Sequence, residues 1–95
     1  GYSGDEISKA FGFDLESFSQ ACVAAGGTRS DGGDAAYVFQ ALPRVPVLVN
    51  YWLGDEDFPS TCKLLFDDSA CHYLPIDACA MMGSALAHRL VSLRK

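Results

Sequence analysis

The run Val45-Pro-Val-Leu-Val-Asn-Tyr-Trp-Leu53 constrains this chain more than any other segment. It is dominated by β-branched, aromatic and other apolar residues. Two sets alternate along it: Val45, Val47, Val49, Tyr51 and Leu53 on one side, Pro46, Leu48, Asn50 and Trp52 on the other. A period of two is the period of a strand, whose successive side chains leave opposite faces of a sheet. Pro46 carries no backbone N–H, so the strand must place it where no ladder donor is required.

Two further runs have the same character. Residues 36–42 alternate Tyr37, Phe39 and Ala41 with Val38, Gln40 and Leu42, and Thr61 to Phe66 forms the third run. Pro43 and Pro46 restrict the first junction. The connections are short, whereas a parallel return needs a crossover of about a dozen residues or more, so the expected sheet is a three-stranded antiparallel meander.

Helical periodicity flanks the strands. In residues 14–25, Leu15, Phe18, Cys22 and Ala25 fall on one face. Asp14 is the expected N-cap, Phe13 and Phe18 are spaced for a hydrophobic staple, and Gly26-Gly27 supply the stop. Upstream, Ser3-x-x-Glu6 has the form of a capping box for a short helix over 4–11, with Ile7, Ala10 and Phe11 inward. A long last helix starts near Pro75 and carries the stripe Ile76, Cys79, Gly83, Leu86, Leu90 and Leu93, with Ser84, His88 and Ser92 on the wet side. The predicted architecture is a single α+β domain over residues 1–95. It has two N-terminal helical segments, the three-stranded meander and one long C-terminal helix packed on the sheet.

The bulk composition supports one core and excludes some functions. With 95 residues, 49% of them hydrophobic, the chain can pack a single domain. A net charge of −5 with scattered basic residues argues against a nucleic-acid grip, which needs clustered Lys and Arg. Arg89, Arg94 and Lys95 group only at the end of the last helix, where cations complement the helix dipole. No apolar run approaches a bilayer span and the start lacks the regions of a signal peptide, so a cytoplasmic protein without membrane contact is expected. The chain opens on Gly1 without an initiator Met, which fits a processed chain or a piece of something longer.

Cys22, Cys62, Cys71 and Cys79 are separated by 39, 8 and 7 residues, with no C-x-x-C pair for zinc, redox or cluster chemistry. Free thiols are expected, with Cys22 and Cys79 buried in helix faces, and no cofactor is implied. The glycine-rich stretch GGTRSDGGD, residues 26–34, is not followed by the Gly-Lys-Ser/Thr of a phosphate loop and reads as a flexible connector. No catalytic residue stands out: Cys71 and His72 are neighbours without a third, orienting group.

The distinctive string is Trp52-Leu-Gly54-Asp55-Glu56-Asp57-Phe58-Pro59, three adjacent acids in a turn bracketed by aromatics. Gly54 and Pro59 set the path of the turn, and Trp52 and Phe58 are expected to anchor it against the core. Its oxygen donors would suit magnesium or calcium, but the spacing is not that of the twelve-residue calcium loop and neighbouring side chains do not face one centre. A recognition turn, without bound metal, is the expectation. Asp67, Asp68 and His72 are secondary candidates; if the second and third strands form a hairpin, they lie at the other end of the third strand, about 20 Å away.

Taken together, Phe11-Gly12-Phe13-Asp14, Gly26-Gly27, Gly33-Asp34, Pro43-x-x-Pro46, the Trp52 to Pro59 string and Leu65-Phe66-Asp67 resemble the C-terminal half of the family catalogued as domain of unknown function 3786. The resemblance runs over nearly the whole chain and is most specific in the Trp52 to Pro59 string followed by Leu65-Phe66-Asp67. It implies a cytosolic protein of anaerobic bacteria and archaea, loosely associated with corrinoid and iron–sulfur metabolism. It also implies an N-terminal half upstream of Gly1. It brings no established reaction and no catalytic residues, and the chain has no cysteine cluster for an iron–sulfur centre. Where many relatives have Glu, this chain has Asp57.

Two kinds of function fit these features. The leading one is a non-catalytic binding or accessory module, presenting the acidic aromatic turn to a protein partner or to an N-terminal half of the same family protein. The rival is an enzyme or metal site completed by that half, with Asp55, Glu56 or Asp57 as acid, base or ligand. A purely structural hairpin corner is the third reading.

Overall fold

In the computed structural model, which describes residues 2–42, 45–66 and 75–94, helices α1 (Tyr2–Phe11) and α2 (Leu15–Ala24) precede all the strands. Strands β1 (Thr28–Ser30), β2 (Ala35–Leu42), β3 (Val45–Trp52) and β4 (Thr61–Phe66) follow, and helix α3 (Ile76–Ser92) comes last. The strands form one sheet in the order β1-β2-β3-β4, antiparallel throughout.

The alternation in β3 decides which face is inside. Val45, Val47, Val49 and Tyr51 are buried. The register pairs Val49 with Tyr37 and Leu64, and Tyr51 with Ala35 and Cys62, so inward residues of three strands line up. The helices cover this face. Ile7 and Phe11 of α1, Phe18, Ala21 and Cys22 of α2, and Ala87 and Leu90 of α3 join the same core cluster. Phe18 sits at its centre, with ring centroids 4.5 Å from Tyr51, 5.7 Å from Phe11 and 6.0 Å from Tyr37. Burial on this scale contributes about 1.5–3 kcal/mol for each large apolar side chain.

Pro46 lies where its missing N–H is tolerated. It pairs with Gln40 beside a register shift between Gln40 and Leu42, and beyond Val47↔Phe66, the last pair with β4.

The sheet has four strands rather than three. The glycine-rich connector contains β1, which pairs Arg29 with Tyr37. Its guanidinium carbon stands 5.6 Å from the Tyr37 ring centroid. Three residues are too few for alternation to be read, and these are not buried. The rest of the connector is not a loose tether. A Cβ on Gly32 would collide with the Asn50 amide oxygen, and one on Gly33 would meet the Trp52 ring at 3.2 Å. The two glycines therefore let the loop press on the outer face of β3, burying Asn50.

Helix ends correct three local expectations. Asp14 caps α2 as expected, its side chain accepting from the Ser17 N–H at 3.0 Å. The staple does not form: Phe13 is 63% exposed while Phe18 is drawn into the core. The N-terminal helix already includes residues 2 and 3, so Ser3 is not at a cap position, and Glu6 instead lies 3.0 Å from His88 Nδ1 on α3. The inward stripe of α3 is Cys79, Gly83, Ala87 and Leu90, starting one turn later than predicted, and Ile76 is 86% exposed. Gly83 and Ala87, the small residues of this stripe, are both buried, and Ala87 joins the core cluster. Cys22, Cys62 and Cys79 are buried free thiols, and Cys71 lies outside the described residues.

Candidate functional site

The acidic string leaves the end of β3 and returns into β4, so its two ends are held by the pair Trp52↔Thr61. Both shoulders are braced. On one side the Leu53 N–H donates to Asp34 Oδ2 at 2.6 Å, while the Asp34 N–H donates to the Tyr51 carbonyl at 2.8 Å. On the other the Gly54 N–H donates to Ser60 Oγ at 3.0 Å, and Ser60 is buried. Gly54 is required by crowding: a Cβ there would run into the Phe58 carbonyl and the Pro59–Ser60 peptide.

Within the turn the three acids take different roles. The Asp55 carboxylate folds back, its Oδ1 accepting from the Asp57 N–H at 2.8 Å and the Phe58 N–H at 2.9 Å. The Asp55 N–H in turn donates to the Phe58 carbonyl at 2.8 Å. Short polar side chains bonding the backbone two and three residues on are a recurrent way of closing such loops. Glu56 and Asp57 make no such bond and stand exposed. Among the described residues no group of three or more His, Cys, Asp or Glu side chains is placed to hold a metal ion.

Phe58 does not anchor the turn. It is 71% exposed, against the expectation that it folds onto the core. The turn is closed by backbone instead: the Phe58 N–H and carbonyl are both engaged by Asp55, and residues 58–60 pass directly against Gly54. Trp52 does act as an anchor, half-buried against Gly33. Pro59 is exposed.

Asp67, Asp68 and His72 lie outside the described residues. The pairing Val47↔Phe66 puts the end of β4 at the far end of the hairpin from the turn, about 17 Å away at the usual rise per residue.

Among families of known sequence pattern, the one described as Domain of unknown function (DUF3786) matches residues 2–89. The chain belongs to this family. No curated protein and no solved structure matches it.

Beside the turn, the DUF3786 fold leaves a groove of about 300 Å³ between the C-terminal half of α1 and the start of β4. Asp5, Ser8, Lys9, Gly12 and Phe13 form one wall, and Pro59, Ser60 and Thr61 the other. Beneath it, the buried Tyr51 hydroxyl donates to the Gly12 carbonyl at 2.6 Å. Burial, reinforced by nearby Cys62 and partly offset by a hydrogen bond from Ser60, pushes the Tyr51 phenol up to about 12. Burial pushes the Cys22 and Cys62 thiols up to about 12 as well, which leaves them protonated and poor nucleophiles at neutral pH. The groove was not legible in sequence, because residues 5–13 of one wall and 59–61 of the other are far apart in the chain, most of its lining is small or polar, and the spacing of Phe13 pointed to a staple instead. No helix among the described residues is long and apolar enough to cross a membrane.

Proposed function

We propose that this DUF3786 domain is a non-catalytic binding or accessory module whose acidic, aromatic-edged turn docks on a basic protein surface. That surface belongs to a separate protein or to another segment of the same family protein. The reading is carried by one observation: Phe58 is 71% exposed on a turn whose backbone is held by Asp55, with Glu56 and Asp57 beside it. An exposed aromatic ring on a braced loop loses little conformational entropy on binding and offers a large apolar contact. Adjacent carboxylates add steering and register. Asp55 serves the loop, so Glu56, Asp57, Phe58 and Pro59 are the contact residues, while Trp52 and Gly54 position them.

The reading is tested by titrating hexalysine into isotope-labelled protein and following amide shifts. Saturable shifts centred on Glu56, Asp57 and Phe58, weakened by salt and by the double change Glu56→Gln with Asp57→Asn, are expected. Shifts spread evenly over all surface acids overturn it. So do saturable micromolar calcium shifts confined to Asp55, Glu56 and Asp57, which would mark a metal site instead.

A further inference from the structure

We infer, building on the turn as a recognition element, that the groove between α1 and β4 receives one apolar side chain of a protein segment whose neighbouring Arg or Lys residues meet Glu56 and Asp57. Three observations converge on it. The groove, at about 300 Å³, has room for a leucine-sized side chain. Its floor is rigid: the Tyr51 hydroxyl ties the Gly12 carbonyl to the sheet at 2.6 Å, and the Arg94 guanidinium holds the Ala10 carbonyl at 2.9 Å, so the end of α1 is fixed from two sides. Its mouth is open: apart from its chain neighbours, nothing among the described residues lies within 4 Å of a Cβ placed on Gly12, and Phe13 beside it is 63% exposed. A ring left out of the core at the lip of a cleft is a ready-made wall for an incoming apolar group.

Charge complementarity selects the occupant. Asp5 lines the groove, and Asp57 stands two residues from Pro59, within about 8 Å of it along the chain. With Glu56, these give three carboxylates against Lys9. A partner side chain seated here is therefore flanked by negative charge, which favours Arg or Lys next to the apolar residue and disfavours an acidic segment. Phe58, exposed on the same turn next to Pro59, offers an apolar ring for the aliphatic part of such an Arg or Lys.

The probes are two blocked pentapeptides, Gly-Arg-Leu-Arg-Gly and Gly-Arg-Ser-Arg-Gly, titrated into labelled full chain. The leucine peptide is expected to shift the amides of Ser8, Gly12, Phe13 and Thr61 together with Glu56 and Asp57, and the serine peptide to bind about tenfold more weakly. Thr61→Trp, at an exposed strand position, is expected to fill the groove and weaken the leucine peptide by a similar factor at an unchanged thermal midpoint. Equal binding of both peptides, with shifts only at Glu56 and Asp57, overturns the groove and leaves the turn in place. Absence of shifts with either peptide overturns both.

Discussion

The Tyr51 hydroxyl donates to the carbonyl oxygen of Gly12 at 2.6 Å, across 39 positions of the chain. This bond joins the middle of the sheet to the link between α1 and α2. The ring itself is fully buried against Phe18. Tyr51→Phe keeps the ring and removes the donor, so the expected loss is about 1–2 kcal/mol, a net hydrogen bond plus part of the cost of a carbonyl left without its partner. Urea unfolding followed by fluorescence measures it, with an unchanged slope expected because the folded surface is the same.

The alkaline limb of the stability curve should be steep. Cys22 and Cys62 move from 9.0 up to about 12, and Tyr51 from 10.0 up to about 12, in each case chiefly by burial. An unfolded chain releases these protons near their ordinary values while the fold retains them, so the folded state binds more protons over this window. Stability is therefore complete below pH 9, and falls as the pH rises toward 12. Thermal midpoints at pH 8, 9.5 and 11 test this, and a flat profile would contradict it. Under native conditions at pH 8 the buried thiols should react slowly with a disulfide reagent, and denatured, unreduced protein should count four.

Gly4→Ala probes how closely α1 approaches the sheet. A Cβ at Gly4 would collide with the Cys62 carbonyl, a backbone atom that cannot rotate away. The expected cost is about 1–3 kcal/mol, typical of overpacking, although Ala is the better helix former. A variant as stable as the parent would show that α1 can shift outward without penalty.

Asp55→Ala should release the turn without unfolding the domain. Two backbone donors, Asp57 N–H and Phe58 N–H, lose their acceptor. Their amide exchange should accelerate while that of Val47 and Val49 in β3 is unchanged, and binding through Glu56 and Asp57 should weaken because the loop must then be ordered at the moment of contact. Asp57→Asn, which leaves those bonds intact, is the control and should leave the exchange pattern as it is.

The parts of this fold readable from the chain were those whose signal is periodic. The two faces of residues 45–52, the buried side of α1 with Ile7 and Phe11, and the capped start of α2 at Asp14 follow from spacing, because burial repeats with the period of the element. Less was readable where one tertiary contact outweighed a local preference. Phe13 had the spacing of a staple, but Phe18 gained more by entering the Phe11–Tyr37–Tyr51 cluster. Phe58 had the composition of an anchor, but the turn is closed by Asp55 on the Phe58 backbone and the ring stands exposed.

The sequence by itself determined the helices and the three longer strands, the antiparallel order of β2, β3 and β4, the two alternating sets of β3 and the location of the acidic turn, since each rests on local spacing and short connections. Only the tertiary structure decided that Thr28–Ser30 adds a fourth strand, that Asp55 turns inward while Glu56, Asp57 and Phe58 face out, and that α1 and β4 enclose a groove. The groove depends on residues tens of positions apart, β1 on a pairing of only three residues, and the direction of Asp55 on single hydrogen bonds within one turn, and none of these leaves a periodic trace in the chain.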